Sequence, residues 1–389
     1  MTDRAGAAAA REGLAINRRA EAAEKGGYPH FMLKEIHEQP RVLADALLGR
    51  ISPGGADVIF EDVTLSAQEA RQVRQVYFVA CGTALHAGLI AALLTERLAK
   101  LPARAESASE FRYREPLVDE HTLVVGVSQS GETIDTLNAL RAARERGARL
   151  LSIVNVPGSA IARDTGDVIY TRAGPEIAIA STKAYTTQLV VGTLLAVYLA
   201  RARGMLAEDA ARELLAGLQA LPERAEAWLA GAGALQPVGE TLATASDIYY
   251  IGRGLDWVTG LEGQLKIKEV SYIHAEAYPA GEFKHGPLAL IEDGTPLVAV
   301  TTQPAVHRKT AANLQDARVR GARVIAVVSE GLEDLGGEVD HVITVPAVHP
   351  FLAPVLAVLP LQLLAYYAAV ARGSDVDSPR NLTKSVTVE

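Results

Sequence analysis

The stretch Thr122-Leu123-Val124-Val125-Gly126-Val127-Ser128-Gln129-Ser130-Gly131-Glu132-Thr133 decides the fold. Its first half is a continuous apolar, β-branched run, the pattern of a strand buried on both faces of a parallel sheet. Its second half gathers three hydroxyls and a glycine just where a helical segment, Thr133 to Arg146, begins. Ser130, followed by Gly131 and Glu132, offers N-cap chemistry to that helix. A strand that stops in a hydroxyl-rich turn at a helix N-terminus is a seat for phosphate. Free N–H groups and the positive end of the helix dipole face the anion, and Gly131 lets the backbone come close. The plainer alternative is that Ser130 only caps its own helix; the clustering of Ser128, Gln129, Ser130 and Thr133 raises the functional one. The turn is neither a Walker loop nor a G-x-G-x-x-G dinucleotide turn, so a nucleotide is not favoured.

On either side the same grammar continues. Val76-Tyr77-Phe78-Val79-Ala80 reads as a strand ending in Cys81-Gly82-Thr83, followed by a long apolar helix to about Lys100. Further strands are expected at Leu150 to Val154 and Asp167 to Thr171, then a long helix over roughly Tyr185 to Arg203. Before them, Tyr28 to Arg50 has helical spacing. Strands alternating with helices in this way predict an α/β chain with a doubly wound parallel sheet. The order then recurs. Ile248-Tyr249-Tyr250-Ile251 ending in Gly252-Arg253-Gly254 echoes the strand at Val76, and Arg320-Gly321-Ala322-Arg323 followed by an apolar run echoes Arg146-Gly147-Ala148-Arg149. A duplicated domain is the reading. The second copy has Thr301-Thr302-Gln303-Pro304 where the first has its seat, without glycine and with a proline that lacks an N–H. One phosphate seat per chain is expected. The divisions are a flexible leader at 1–27, domains at 28–220 and 221–372, and a tail at 373–389.

Composition narrows the partners. A chain of 389 residues with 49% hydrophobic content supports two α/β cores. The formal net charge of −8, with no Lys/Arg cluster, argues against nucleic acid, which needs a basic surface. Cys81 is the only cysteine, which rules out an internal disulfide and suits a reducing, cytoplasmic setting. No uninterrupted apolar run of membrane-spanning length and no signal-peptide core are seen. No His/Asp/Glu spacing resembles a metal site, so neither metal nor cofactor is expected.

Candidate acid, base and amine lie in the second half. A helix is expected at 257–277, on which Lys266 and Glu269 are three apart and share a face while Lys268 points elsewhere. The ordinary reading is a surface ion pair. The loop Tyr278 to Pro287 presents His285 between glycine-flanked turns, and histidine titrates near neutral pH. The tail is polar and by composition should fray. If it docks across a site it brings Lys384, which when desolvated can form a Schiff base with a carbonyl. His86, His274, Cys81 and the two tryptophans read as structural.

Taken together, Cys81-Gly82-Thr83, Ser128 to Thr133, Asn155 to Ser159, Ala180-Ser181-Thr182-Lys183, Lys268 to Glu276, Lys284-His285-Gly286-Pro287 and the closing Pro379 to Glu389 carry a family resemblance. From about residue 22 to the end, the chain resembles the isomerase half of the glucosamine-6-phosphate synthases, a family built of two sugar-isomerase (SIS) domains with a catalytic C-terminal tail. The resemblance implies phosphate and sugar contacts at Thr83, Ser128, Gln129, Ser130 and Thr133, with more at Ile179, Ser181 and Thr383. It implies that Glu269 shuttles a proton between C1 and C2, beside Lys266. It further implies that His285 opens the sugar ring from a neighbouring subunit, making a homodimer the catalytic unit, and that Lys384 is the Schiff-base lysine. Ala84 departs from the serine many relatives carry, a modest loss of one hydroxyl contact.

The front departs further. The family carries a glutaminase domain with an N-terminal nucleophilic cysteine; here residue 2 is Thr2 and the only cysteine is internal. Glutamine hydrolysis is therefore not expected on this chain: it is either the isomerase piece of a longer enzyme or a stand-alone protein supplied with ammonia, free or from a separate glutaminase. The implied reaction turns fructose 6-phosphate and ammonia into glucosamine 6-phosphate, or into glucose 6-phosphate without ammonia. A deaminase running the reverse reaction and a non-catalytic sugar-phosphate sensor are the rivals. A sensor needs only the Ser128–Thr133 turn, so retention of Lys266, Glu269, His285 and Lys384 favours an enzyme.

Overall fold

A computed structural model describes residues 24–337 and 339–388. The leader expected at 1–27 thus lies, up to residue 23, outside the described residues. Among the described residues, ten strands form two five-stranded parallel sheets. The first comprises β1 (Gln75–Ala80), β2 (Ala103–Ser107), β3 (Thr122–Ser128), β4 (Arg149–Val154) and β5 (Val168–Tyr170) in the order β2-β1-β3-β4-β5. The second comprises β6 (Asp247–Gly252), β7 (His274–Pro279), β8 (Pro296–Thr301), β9 (Arg323–Ser329) and β10 (His341–Val345) in the order β7-β6-β8-β9-β10. The two orders superpose position for position, as duplication requires.

The central strand β3 is buried at every residue, which is why its sequence is apolar without alternation. The helices that position the site and the core are α1 (Phe31–His37), α2 (Gln39–Leu47), α3 (Thr83–Ala99), α4 (Ile134–Glu145), α5 (Lys183–Ala202), α6 (Glu208–Leu229), α7 (Leu255–Ser271), α8 (His307–Arg318) and α9 (Ala353–Ala371). Helix α3 packs on α5, α7 on α9, and α3 on α7. The inner faces of both sheets therefore share one apolar cluster, with Phe78 and Leu194 from the first half and Val298 and Leu359 from the second. Each such fully buried Leu or Phe contributes about 1.5–3 kcal/mol relative to exposure.

Four expectations need correction. The helical segment at Tyr28 to Arg50 is two helices, broken at Glu38 beside Pro40, which cannot supply an N–H to the turn before it. The helix expected at 257–277 stops at Ser271, because Tyr272 takes the left-handed conformation at φ 63, and His274–Pro279 is edge strand β7. Strand β2 and helix α6 were not anticipated at all. Finally, α9 is long and apolar enough to cross a membrane, although no such run was expected. Pro354, Pro360 and Gln362 interrupt the run in sequence; in the fold the helix is a core element, buried along nearly all its length.

The second copy's turn is occupied from within the chain. Asp256 is fully buried on the first turn of α7, at the place Ala84 takes on α3. Its carboxylate accepts from the backbone N–H of Thr302 at 2.9 Å and of Gln303 at 3.2 Å, and from the Thr302 hydroxyl at 2.5 Å. Burial pushes this carboxyl up to about 6 despite those donors. The turn that would face a ligand faces the chain's own anion.

Candidate active site

A cavity of about 310 Å³ opens at the C-terminal ends of β1 and β3, where the strand order reverses. Crevices at this switch point are where open α/β sheets bind ligands. β1 leaves the sheet through Gly82, at φ +56, so that Thr83 begins α3 facing the cavity. β3 ends at Ser128, whose hydroxyl accepts from Gly131 N–H at 3.0 Å and lies 3.0 Å from the Thr133 hydroxyl. Gly131 has φ +66, and a Cβ there would stand 2.0 Å from Ser159 Oγ, so the turn requires glycine twice over. The helix starts later than the sequence suggested. Thr133 is the N-cap of α4, while Ser130 Oγ accepts from Glu132 N–H and leaves the helix end to others.

The tail closes the cavity. Val386 C=O accepts from Ile134 N–H, the first of α4, at 3.1 Å. Asp377 accepts at 2.9 Å from both Phe31 and Met32 N–H at the start of α1, where the helix dipole favours a carboxylate. Arg380 stacks 4.2 Å from the Tyr272 ring. Lys384 enters the pocket wall and donates to Glu176 Oε2 at 2.7 Å and to Ala178 C=O at 2.6 Å. These ties hold a segment whose composition promised only fraying.

The opposite wall comes from α7. Lys266 is fully buried, 2.5 Å from Glu269 Oε2 and 3.4 Å from Glu262 Oε1, and it donates to Thr83 Oγ1 at 3.1 Å. Burial works against its charge, but Glu269 and Glu262 outweigh that and hold the ammonium above the ordinary lysine range. Glu262, also fully buried, accepts from Thr83 Oγ1 at 3.0 Å and lies 2.7 Å from His86 Nδ1. Of the three charged side chains on this face of α7, Glu269 alone lines the cavity. Thr83 thus ties the first copy's turn to the second copy's acid–base cluster.

Behind Lys384 lie two buried carboxyls. Glu176 also accepts from Ser181 Oγ at 3.0 Å and from Thr182 and Ala184 N–H at the start of α5. Although burial opposes its charge, Lys384 and those donors bring it down to about 2. Glu35 accepts from Ile177 and Ala178 N–H. Burial first, then the Glu176 charge, pushes Glu35 from 4.5 up to about 8. The folded chain therefore keeps a proton that the unfolded chain releases above about 4.5, and stability falls as pH rises from about 5 to about 8. Glu35→Gln removes that titration. Its melting temperature relative to wild type should rise between pH 5.5 and pH 8; a pH-independent difference would contradict the assignment.

Of the residues singled out from sequence, Thr83, Ser128, Gln129, Ser130, Thr133, Ile179, Ser181, Glu269, Thr383 and Lys384 line this cavity. Lys266 stands directly behind its wall. His285 does not join them: it sits exposed on a short turn, Glu282–His285, away from the cavity of its own chain. Sequence reasoning missed Glu35, Glu176 and Glu262, and took His86 as structural. Glu262 had a signal, since Glu262, Lys266 and Glu269 share a helix face at spacings of four and three. Glu176 and Glu35 had none. Among the described residues no group of three or more His, Cys, Asp or Glu is placed to hold a metal.

A duplicated doubly wound sheet, with a cavity at a switch point walled on one side by the chain's own tail, defines a tandem α/β protein. The SIS domain profile matches residues 69–198 and 241–372, and the chain belongs to that family. It is 58% identical over 367 residues to the glutamine–fructose-6-phosphate aminotransferase (isomerizing) of Symbiobacterium thermophilum, covering 94% of this chain and 60% of that one. With a Thermus thermophilus protein of the same name it shares 50% over 389 residues, covering 100% of this chain and 64% of that one. The chain thus spans somewhat over half the length of the curated relatives it matches. Among solved structures, the C-terminal domain of the Francisella tularensis glucosamine-fructose-6-phosphate aminotransferase superposes with a TM-score of 0.87 at 37% identity. That alignment covers 92% of this chain and all of the other.

Proposed function

We propose that this chain binds fructose 6-phosphate and, with ammonia, isomerises and aminates it to glucosamine 6-phosphate. The observation that carries the reading is the convergence in one cavity of a hydroxyl turn, a lysine and a carboxylate, from three separate parts of the chain. The cavity is within the size range of small-molecule sites. The names of its relatives support the choice of sugar.

The Ser128–Thr133 turn and Thr83 seat the phosphate, as N–H groups and hydroxyls at a helix start do for anions. Ile179, Ser181 and Thr383 line the path of the sugar. Lys384 condenses with the C2 carbonyl, and ammonia displaces it. Glu269 takes a proton from C1 and returns it at C2, while Lys266, 2.5 Å from its Oε2, orients it. Ring opening falls to His285 reaching in from a second copy, since its own cavity lies elsewhere; a homodimer is thereby part of the proposal. A reducing cytoplasm suits the single Cys81.

A paired assay tests it. Purified protein given fructose 6-phosphate should form glucosamine 6-phosphate with ammonium, and glucose 6-phosphate without it. Sugar-phosphate binding without any turnover would replace the enzyme by a sensor.

A further inference from the structure

We propose that Glu176 is the base that takes a proton from Lys384 when that lysine condenses with the sugar carbonyl, with Glu35 as the positioning residue behind it. This rests on the Schiff-base reading above. A lysine attacks a carbonyl only as the neutral amine, and free in water its amine is almost wholly protonated near neutral pH. Here the amine is pinned 2.7 Å from Glu176 Oε2, a carboxylate with no exposure to solvent. No other carboxylate is paired with Lys384 among the described residues. The proton therefore has an acceptor in hydrogen-bond contact before any substrate arrives.

The step balances without an outside reagent. Lys384 begins as an ammonium with three protons, Glu176 as a carboxylate. One proton passes to Glu176 Oε2, and the freed lone pair forms the N–C2 bond as the carbonyl π pair moves to oxygen. The other two nitrogen protons leave with that oxygen as water. The products are a neutral imine and a neutral carboxylic acid. Opposite charges vanish together, so the step leaves no unpaired ion behind.

Glu35 makes this possible by being neutral. The charged or titratable groups facing Glu176 are Lys384 from the tail, Glu35 from α1 and, further off, Lys266 from α7. Lys183 acts on Glu35 but is itself paired with Glu38 at 2.6 Å. A second ionised carboxylate beside Glu176 would tighten the hold on the ammonium and oppose proton release. Glu35 Oε1 instead accepts from Ile177 and Ala178 N–H, fixing the backbone on which Glu176 and the Ala178 carbonyl sit. Its Oε2 is buried without a partner among the described residues.

The test is borohydride trapping of the imine with fructose 6-phosphate, read by intact mass, between pH 5.5 and 7.5, with binding measured in parallel by calorimetry. In the wild type the trapping rate should be flat over this range, because the base is internal and already ionised. In Glu176→Gln it should fall about 10²-fold at pH 7, and then climb about tenfold per pH unit as solvent takes over deprotonation. Binding should stay within about threefold. Trapping by Glu176→Gln within threefold of wild type at pH 7 overturns the assignment. So does a wild-type rate that itself climbs tenfold per unit, a result available even if the variant fails to fold. A wild type that binds the sugar phosphate yet traps no imine overturns the Schiff-base reading, and this assignment with it.

Discussion

Under the proposed mechanism, Lys384→Ala should lower formation of glucosamine 6-phosphate by on the order of 10³-fold or more, the scale on which enzymes lose rate with their nucleophile. Affinity for fructose 6-phosphate should change only a few-fold. The two effects separate because the two tasks lie on different elements. The proposed phosphate seat is built from β1, β3 and the starts of α3 and α4, and its hydrogen bonds run among Ser128, Ser130, Gly131, Glu132 and Thr133 rather than to Lys384. The lysine arrives from the tail, held by Glu176 and Ala178. Glu176 keeps Ser181 and the Thr182 and Ala184 N–H groups as partners when the cation is gone, so the pocket wall has its own support. Lys384→Arg is the companion variant. Its guanidinium keeps a positive charge beside Glu176 but stays protonated, so it cannot form the imine. It should be as inactive as the alanine variant while melting nearer to wild type. Turnover by either variant at the wild-type rate would remove the tail from the chemistry.

How much of this was legible in advance differs by the range of the interaction. The strands at Val76, Thr122, Leu150 and Ile248 announce themselves, because burial on both faces forces apolar runs that are local in sequence. The duplication is legible for the same reason. The hydroxyl turn that lines the cavity is legible because Ser128, Ser130, Gly131 and Thr133 are neighbours in the chain, although the cap was misplaced from Thr133 to Ser130. The end of α7 was not legible: Tyr272 adopts a left-handed backbone, and nothing in a tyrosine signals that. Nor was the edge strand β7 behind it. The carboxyls behind Lys384 were least legible. Glutamates are ordinarily solvated, and Glu35 and Glu176 are buried only because α1, the start of α5 and the tail meet from positions far apart in the sequence. The chemistry open to Lys384 was legible from its residue type only if the tail docked, and the docking itself was not, since its own tail reads as frayed.

Lys266→Met should be the most destabilising single change in the site, by about 3–5 kcal/mol, the cost of removing one partner from a buried ion pair. The argument is one of charge count. Lys266 is fully buried between Glu262 and Glu269, with the Thr83 hydroxyl as its third contact. Methionine fills much of the volume and supplies no charge, so two carboxylates on one helix face confront each other. Glu262 is fully buried, with His86 and Thr83 left to it. Glu269 has only the cavity to turn to. Under the proposed mechanism Glu269 also loses the cation that orients it toward C1. Activity and stability should thus fall together, unlike the tail variants, in which they part. Adding Glu269→Gln to Lys266→Met removes one of the two charges. The double variant should recover part of the lost stability, with a coupling of about 1–3 kcal/mol by denaturant unfolding, while remaining inactive. Additive losses in that cycle would mean that Lys266 serves packing alone and that its ion pair with Glu269 carries no weight in the fold.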